Sequence, residues 1–359
     1  MTAMRQTRTD LLTALSRSLL PEYRLMSLAV ADCPVFLAIA CPEADGVTGL
    51  KPRLPAGRGL SQAEALITAA AEAVELRASL AGSHLSDLRR APRREGVAQV
   101  AARDLVTGAA RTVPAQAVFL DGAALLSESL RQDADSTGCA AGPTMEAAAF
   151  AALCECVERD ALALWWHGGQ GAPTVPTALI DERHPRLSWW LDNRARRTRL
   201  YDLTTDLGVP VVAAVSADAA GRSVALGCAA RPRVAEAALS AVTEMVQSEI
   251  GMDQARQAGD PEVARWDAQA DWSVQPQFAA TGSSPLRDAP DGLATCAGLA
   301  AHLAALGHAP LAVTLTLPGD PLESLRVLVP GLCAMRGRVE TDRFHKLRPG
   351  ATPCFPEPY

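Results

Sequence analysis

The sequence predicts an α+β fold in which mixed β-sheets are packed with long helices. Strand-like and helical runs alternate along the 359 residues without the regular spacing of a doubly wound sheet. Two pairs of strand-like runs are separated by short turns, at residues 107–108 and 218–221, as in antiparallel hairpins. The composition, 48% hydrophobic and 21% charged, is that of a folded protein with a large core.

In the first half of the chain, apolar periodicity and capping residues predict the elements. Residues 1–30 form a helical extension whose apolar face consists of Leu11, Leu12, Leu15 and Leu19. The main domain, residues 31–359, opens with a strand over 34–40. An Ala-rich helix follows over 62–80, with Ser61 as its N-cap, and a hairpin occupies 97–120.

The second half alternates in the same way. The predicted elements are a helix over 144–166 ended by Gly168 and Gly169, strands over 209–216 and 223–227, helices over 234–254 and 293–306, and strands over 311–317 and 325–329. A loop-rich connection is expected over 260–290, and residues 353–359 form a proline-rich tail.

Charge, hydropathy and cysteine usage exclude several classes of function. The net charge is −6 without a basic stripe, so we expect no nucleic-acid partner. The longest apolar run, residues 35–41, is far shorter than the roughly 20 residues that span a bilayer, and no signal peptide is recognisable. The nine cysteines are scattered without CxxC spacing, which argues against a zinc site and for a cytoplasmic protein with reduced thiols.

Three predicted helices carry two acidic or amide side chains three residues apart among apolar neighbours. The pairs are Glu72 and Glu75, Glu155 and Glu158, and Glu244 and Gln247. Residues at this spacing share a helix face, and a carboxylate among apolar residues is costly unless a cation compensates it. Mg2+ takes carboxylate ligands together with substrate phosphates. Solvated helix faces are the alternative, and they explain one pair more easily than three.

Around these pairs, several segments resemble the signature sequences of the YcaO family. Residues 136–142, Ser-Thr-Gly-Cys-Ala-Ala-Gly, and residues 153–161 are similar to the family's Ser-x-Gly-x-Ala-x-Gly turn and its ElxERDA-like helix. The other resembling segments, in the family's order, are residues 57–61 with 71–76, residues 241–248, the Val-Pro-Gly-Leu of 329–332, and the tail 353–359. Each segment is a weak signal alone, but together they are specific.

The resemblance implies a YcaO-like fold whose helices line an internal ATP and Mg2+ site without a P-loop. The Mg2+ ligands that it implies are Glu72, Glu75, Glu155, Glu158 and Gln247. The other nucleotide-binding residues that it implies are Arg58, Ser136, Gly138, Arg159 and Glu244. Of these, Arg159 would pair with phosphate oxygens through its planar fork of donors. Ser136 and Gly138 would shape a turn near the nucleotide, and Arg58 would lie at a helix N-terminus, where anions are favoured.

The chemistry implied by the resemblance is phosphorylation of a backbone amide oxygen in a ribosomally made peptide, with ADP and phosphate as products. A Cys, Ser or Thr side chain of the peptide attacks the preceding carbonyl, and loss of phosphate leaves an azoline ring. The implied catalytic residues are Glu158, Arg159, Pro356 and Pro358. The proline-rich tail favours azoline formation over the alternative, thioamidation with external sulfide.

Some positions depart from the family's pattern. Leu76 stands where the first helix commonly has Arg, and Arg77 comes next. Pro143 and Ala147 replace the usual Asn and Glu, and Glu146 faces away from the motif carboxylates at about 100° per residue. Either a metal ligand is missing, or Pro143 reshapes the turn and restores it. A non-catalytic scaffold with a decayed site is the alternative that Ala147 supports.

A peptide-modifying enzyme of this kind also implies partners. The roughly thirty residues ahead of the resemblance are too few for a peptide-binding winged-helix domain, so we expect a separate leader-binding protein. It would be E1-like or ThiF-like for azoline formation and TfuA-like for thioamidation. The expected assembly is a homodimer.

Two other features of the sequence have simpler explanations. Trp165 and Trp166 could form a wall facing a substrate, but a buried helix end is the better interpretation. Cys139, in the signature turn, is interpreted as a small packing residue rather than a reactive thiol.

Overall fold

The computed structural model describes residues 2–20, 22–28, 30–43, 54–121, 134–181, 183–335, 339 and 341–351. Helices and several β-sheets alternate along the chain, which confirms the α+β class. The chain divides into two compact units. Unit 1 comprises Met1–Leu153 and Leu303–Pro330, and unit 2 comprises Cys154–His302 and Gly331–Tyr359. Each unit is therefore built from two separate stretches of the sequence.

The elements are numbered in chain order. The helices are α1 (Thr2–Leu19), α2 (Gln62–Ser79), α3 (Leu85–Arg90), α4 (Met145–Gly168), α5 (Ala178–Asp181), α6 (Pro185–Asn193), α7 (Val234–Gln257), α8 (Pro261–Gln269), α9 (Cys296–Ala305) and α10 (Asp342–Leu347). The strands are β1 (Tyr23–Leu28), β2 (Phe36–Pro42), β3 (Ala56–Gly59), β4 (Arg93–Arg94), β5 (Val97–Asp104), β6 (Ala110–Pro114), β7 (Cys139–Gly142), β8 (Ala172–Val175), β9 (Arg197–Asp202), β10 (Val211–Ala217), β11 (Ala225–Ala230), β12 (Ala280–Ser283), β13 (Leu311–Thr314) and β14 (Glu323–Leu328).

Two sheets lie in unit 1. A three-stranded antiparallel sheet has the order β1-β2-β3, and a larger sheet has the order β4-β5-β13-β14-β7, with β6 also paired to β5. The turn of the signature segment leads into β7, whose Cys139 is paired with Arg326 of β14. A long-range pairing of this kind fixes the turn in the sheet although nearly 190 residues separate the two strands in sequence.

Helix α2 lies directly on β3, and Gly57 and Gly59 make this close approach possible. A Cβ atom at Gly57 would lie 2.1 Å from the backbone nitrogen of Ala69, so no larger residue fits there. The helix starts as predicted, with the Ser61 side chain accepting a hydrogen bond from the Glu64 backbone N–H. Glu64 in turn accepts from the Leu60 N–H at 3.0 Å, which completes a reciprocal cap.

The N-terminal segment packs against the rest of unit 1. Leu15 and Leu19 of α1 are fully buried in a cluster with the α2 residues Ala70, Ala73 and Val74. The following strand, β1, pairs antiparallel with β2 over its whole length. The predicted apolar face of the first helix is therefore present, and it is buried against α2.

Unit 2 is built on a mixed sheet with the order β11-β10-β9-β8-β12, in which β8 and β12 are parallel and the other pairs antiparallel. All residues of β10 and β11 are buried. Helix α7 crosses β11 so closely that a Cβ atom at Gly227 would lie 2.2 Å from the Ala241 carbonyl oxygen. This close packing sets the position of the α7 residues that follow, including Glu244.

The aromatic residues at the end of α4 form part of the core of unit 2. Trp165 is 2% exposed and Trp166 is not exposed at all. The Trp165 indole N–H donates to the Gln277 carbonyl oxygen at 3.1 Å, which satisfies the polar end of the ring. The prediction of a buried helix end is confirmed.

The segment expected to be a loop-rich connection contains α8 and β12, so this expectation was incomplete. Strand β12 has four residues, all exposed, and so lacks the apolar alternation by which a strand is recognised. Residues 336–338 and the tail 353–359, with Pro356 and Pro358, lie outside the described residues. Within the described ranges, no helix has the combination of length and hydropathy needed to cross a bilayer.

Candidate nucleotide and magnesium site

One turn of helix α4 in unit 2 presents the central acidic pair together with an arginine. Glu158 is 7% exposed, whereas Glu155 and Arg159 are half-buried. The Arg159 guanidinium lies 3.4 Å from the nearest oxygen of Glu155 and 4.0 Å from that of Glu158. The spacing that the sequence predicts for this helix thus brings both carboxylates next to one guanidinium.

A third carboxylate acts on this turn from helix α7. Burial raises the pKa of Glu158 to about 8; Arg159 opposes this shift, and the charges of Glu244 and Glu155 add to it. One Glu158 oxygen accepts a hydrogen bond from the Ala230 backbone N–H, at 3.2 Å, at the end of β11. The protein alone therefore does not compensate the charge of this buried carboxylate.

The charge balance of this group fits a cation. The carboxylates of Glu155, Glu158 and Glu244 outnumber the guanidinium groups of Arg159 and Arg231, which lower the Glu158 pKa. Burial disfavours the charge of Arg159, but the three carboxylates overcome it and raise the pKa of Arg159 above its ordinary value. A divalent cation beside these oxygens would remove the excess negative charge, and oxygen ligands are those that Mg2+ requires.

Across the residues that the structure describes, no group of three or more His, Cys, Asp or Glu side chains is arranged to hold a metal ion by itself. Mg2+ is commonly held by one or two carboxylates plus substrate phosphates, so a self-sufficient cage is not required. The arrangement in unit 2 suits an ion that arrives together with a nucleotide. Gln247 lies three residues beyond Glu244 on α7 and is half-buried, so it shares that helix face.

The remaining predicted ligands belong to unit 1. Glu72 is exposed and Glu75 half-buried on helix α2, three residues apart on one face. Arg58 is half-buried on β3, where it pairs with Leu37 of β2, close to the N-terminus of α2. The convergence of these residues with the acidic group of unit 2 on one nucleotide stays a prediction.

The signature turn is held by backbone geometry. Ser136 is exposed, and its carbonyl oxygen accepts from the Cys139 N–H at 3.0 Å. Gly138 has φ +79°, a conformation that glycine adopts without strain, and its carbonyl oxygen accepts from the Val327 N–H at 2.7 Å. Cys139 is 3% exposed, which confirms it as a packing residue.

The start of α4 shows how Pro143 and Glu146 are placed at the position where the family usually has an acidic residue. The Thr144 hydroxyl accepts from the Ala147 N–H at 3.1 Å and its carbonyl oxygen from the Ala148 N–H at 3.0 Å, so the helix begins with an ordinary cap. Pro143 precedes this cap without distorting the helix. Glu146 is exposed in the first turn, about 180° around the helix from Glu155, so the expected orientation away from Glu155 is present.

Arg77 does not replace the arginine that the family commonly has one position earlier. Its guanidinium forms an ion pair with Asp320, donates to the Ser18 carbonyl oxygen at 2.9 Å, and lies 3.4 Å from Glu22. It therefore joins α2 to α1 and to the segment before β14, all within unit 1. The residue acts in the packing of this unit.

Sequence reasoning missed two groups next to the motif helix. Arg231, which follows the buried strand β11, acts on Glu158, and its only sequence signal is its place directly after that strand. Asp160 belongs to the motif that resembles the family, but the resemblance implies no role for it, and its partner Arg343 lies 183 residues further along the chain. No local pattern could have paired them.

Comparison with known proteins places the chain in a family. The YcaO family model, described as "YcaO cyclodehydratase, ATP-ad Mg2+-binding", matches residues 78–333. The chain belongs to the YcaO family. Its cofactors are accordingly ATP and Mg2+, as predicted from the helix carboxylates and the resemblance.

A curated relative from Rhizobium leguminosarum bv. trifolii, named "Uncharacterized protein in tfuA 3'region", is 30% identical in an alignment 233 residues long, with a coverage of 54% of this chain and 54% of the relative. Two solved structures are similar in fold. A "Heterocyclase in complex with substrate and Cofactor" has a TM-score of 0.78 at 20% identity, over 94% of this chain and 54% of that one. YcaO from Methanopyrus kandleri, bound with AMPPCP and Mg2+, has a TM-score of 0.69 at 21% identity, over 98% of this chain and 94% of that one. The chain thus matches about half the length of the curated relative and of the heterocyclase.

Proposed function

We propose that this YcaO protein uses ATP and Mg2+ to phosphorylate backbone amide oxygens of a ribosomally made peptide. The observation that carries the proposal is the buried turn of α4 with its excess of carboxylates beside Arg159. Magnesium-bound ATP supplies the phosphoryl group and neutralises charge in its transfer. The protein contributes positioning and electrostatic stabilisation, which account for most of phosphoryl-transfer catalysis.

The residue roles follow from the chemistry of the side chains. Glu158, Glu155 and Gln247 offer oxygen ligands to Mg2+, and the planar fork of Arg159 suits two phosphate oxygens. Because burial keeps Glu158 protonated up to a pH of about 8, metal binding should displace its proton. The family resemblance implies Glu72 and Glu75 as further Mg2+ ligands and Arg58, Ser136 and Gly138 as further nucleotide-binding residues, and these roles are part of the proposal.

The proposed product is an azoline ring. A Cys, Ser or Thr side chain of the peptide attacks the carbonyl carbon of the preceding residue, and the amide oxygen leaves as phosphate. The nucleophile comes from the peptide, so the protein needs no nucleophilic residue of its own. The description of the family as cyclodehydratase and the proline-rich residues 353–359 support this product.

Peptide thioamidation is the second candidate, and a specific observation favours it. The relative that is 30% identical over 233 residues is named for its place in a tfuA 3' region. The same phosphorylated amide attacked by external sulfide gives a thioamide instead of a ring. A TfuA-like partner would then accompany this chain, in place of an E1-like or ThiF-like protein that holds the leader of the peptide.

One assay separates these candidates. The chain is incubated with Mg2+, ATP, a purified candidate partner protein, and a candidate precursor peptide that contains Cys, Ser and Thr, both sought among the genes beside its own. Loss of one water per modification indicates azolines, whereas exchange of oxygen for sulfur in the presence of sulfide indicates thioamides. ADP and phosphate should be released, and AMP with pyrophosphate as primary products would contradict direct phosphorylation.

The matched variants in this assay are Glu158→Gln and Glu236→Gln. Glu158→Gln removes a metal-binding carboxylate and should lower turnover at least about a thousandfold, equivalent to roughly 4 kcal/mol in the barrier. Glu236, in the first turn of α7, pairs with Arg233 near the surface, so its amide variant should retain activity. An unmodified peptide and no ADP with the unmutated chain would favour the non-catalytic scaffold.

A further inference from the structure

Asp160 directly follows Arg159 on helix α4 and has no exposed surface. Its carboxylate accepts hydrogen bonds from the Arg343 side chain through Nε and Nη2, at 2.9 Å each, and from the Cys333 backbone N–H at 2.8 Å. All these donors lie in the C-terminal stretch of unit 2. At this residue, helix α4 is thus joined by hydrogen bonds to the segment after residue 330 and to α10.

Arg343 is shared between two carboxylates. Besides Asp160, it binds Asp206 through Nη1 at 3.1 Å and Nη2 at 2.6 Å, and the Asp206 side chain is 49% exposed. The Arg343 side chain is 7% exposed. A planar fork that satisfies a fully buried carboxylate and a second one at the surface fixes its orientation more tightly than a lysine could.

The position of Asp160 on the helix gives this contact a consequence for the site. At about 100° per residue, Asp160 lies roughly 200° around α4 from Glu158. One side of the turn carries Glu158, with the repelling charges of Glu155 and Glu244. The opposite side carries Asp160, held by Arg343 and Cys333. The same turn therefore carries the proposed site carboxylates on one side and is held by the hydrogen bonds of Asp160 on the other.

We propose that Asp160 and Arg343 are positioning residues, which hold the turn bearing Glu158 and Arg159 in the geometry that binds the magnesium nucleotide. The inference rests on the ligand roles proposed above for Glu158 and Arg159. Asp160 has no exposed surface, so this role requires no contact between Asp160 and the nucleotide. Without their ion pair, Asp160 would be a buried carboxylate with one backbone donor, and the turn would shift to let it reach water.

The test is binding of AMPPCP with Mg2+, measured by calorimetry at a temperature well below every variant's melting point. Asp160→Asn and Arg343→Gln should weaken binding at least about tenfold, while circular dichroism shows the same helix content. Arg343→Lys keeps the charge without the fork, so it should recover only part of the affinity. Because stability losses do not change the affinity of protein that is fully folded, a purely structural role predicts no effect on binding.

Asp267→Asn is the matched control. Asp267 forms a similar fork with Arg256 in the same unit, at 2.5 and 2.8 Å, between α7 and α8. Its loss should lower the melting temperature but leave nucleotide affinity within about twofold. Unchanged affinity in folded Asp160→Asn or Arg343→Gln would overturn the proposal.

The outcomes also separate this inference from the proposed function. If Glu158→Gln and Arg159→Gln bind AMPPCP normally, the ligand roles are wrong and the positioning argument falls with them. If these two variants bind weakly but the Asp160 and Arg343 variants bind normally, the positioning argument alone is wrong. A failure to modify peptides affects neither result, because no peptide is present.

Discussion

Glu158 must hold either a proton or a cation. In the folded protein without Mg2+, burial holds its pKa at about 8, compared with 4.5 for an ordinary glutamate. A raised carboxyl pKa means that the folded state keeps a proton that the unfolded chain releases. The stability supplied by the neutral form is therefore complete below pH 4.5 and is lost as the pH rises through about 8.

This loss of stability with rising pH gives a prediction for Glu158→Gln in buffer free of Mg2+ and nucleotide. The amide is neutral at every pH, so the stability of the variant relative to the unmutated protein should rise between pH 5 and pH 8.5. The shift sets an upper limit of about 5 kcal/mol for this change. Thermal denaturation at several pH values checks it, with Glu236→Gln as the control. If the stability of Glu158→Gln and that of the unmutated protein changed in parallel with pH, Glu158 would be ionised throughout this pH range, against the prediction.

At the residue scale, what could be predicted is what the helix repeat encodes. Glu155 and Glu158 are three residues apart, so their common face follows from the sequence, and the structure places both beside Arg159. The Ala230 N–H that binds Glu158 comes from a strand 72 residues away. Such hydrogen-bond partners depend on tertiary packing, and the spacing of residues along the sequence does not indicate them.

Among the elements, helix α2 is joined through Arg77 to α1 and to the segment before β14, in addition to its apolar contacts with α1. The Arg77 and Asp320 side chains are 12% and 2% exposed, so removing the guanidinium leaves a carboxylate in a dry environment. Arg77→Met keeps most of the side-chain volume and should lower the free energy of unfolding by about 2–4 kcal/mol. Urea denaturation measures this loss.

The control for Arg77 is Arg90→Met. Arg90 pairs with Asp87 three residues earlier on α3, and both side chains are more than three-quarters exposed. An exposed pair of this kind contributes at most about 0.5 kcal/mol, so this variant should unfold almost as the unmutated protein does. Equal losses in the two variants would show that the buried ion pair does not secure α2.

The long helices could be predicted closely and the short strands could not. Helix α2 was expected over 62–80 and runs from Gln62 to Ser79, because Ser61 and Glu64 provide a cap that is visible in the sequence. The four-residue strands β8 and β12 were missed. Strands this short have too few residues to show alternation. Pairing with the neighbouring strands determines which short segments become strands.

On the scale of the whole molecule, each unit combines distant parts of the chain. Unit 1 takes Leu303–Pro330 into its larger sheet, and unit 2 takes the C-terminal residues from Gly331 onwards. Sequence reasoning divided the chain at residue 30 from composition and resemblance, which do not register long-range strand pairing. The pairing of β7 with β14 is an example, because it fixes the signature turn from the far end of the sequence.

The C-terminal stretch of unit 2 leads directly into the proline-rich tail. Arg343 binds Asp160, and Arg348 Nε donates to the Leu164 carbonyl oxygen at 3.0 Å, so the chain is anchored to α4 shortly before residue 352. The sequence that follows contains Pro353, Pro356 and Pro358, and each proline fixes its own φ and lacks a backbone N–H. A segment stiffened in this way loses little entropy when it docks in a groove.

We therefore predict that residues 356–359 act in peptide modification. Deleting them should lower the rate of modification at least about tenfold, equivalent to roughly 1.4 kcal/mol in the barrier, because the docked segment would no longer help to shape the site. Melting temperature and Mg2+-dependent AMPPCP binding should barely change. Replacing Pro356 and Pro358 by Ala keeps the length but not the stiffness, and should give an intermediate loss. Full activity in the shortened protein would show that residues 356–359 take no part in peptide modification. It would also remove the tail as an argument for azoline formation over thioamidation.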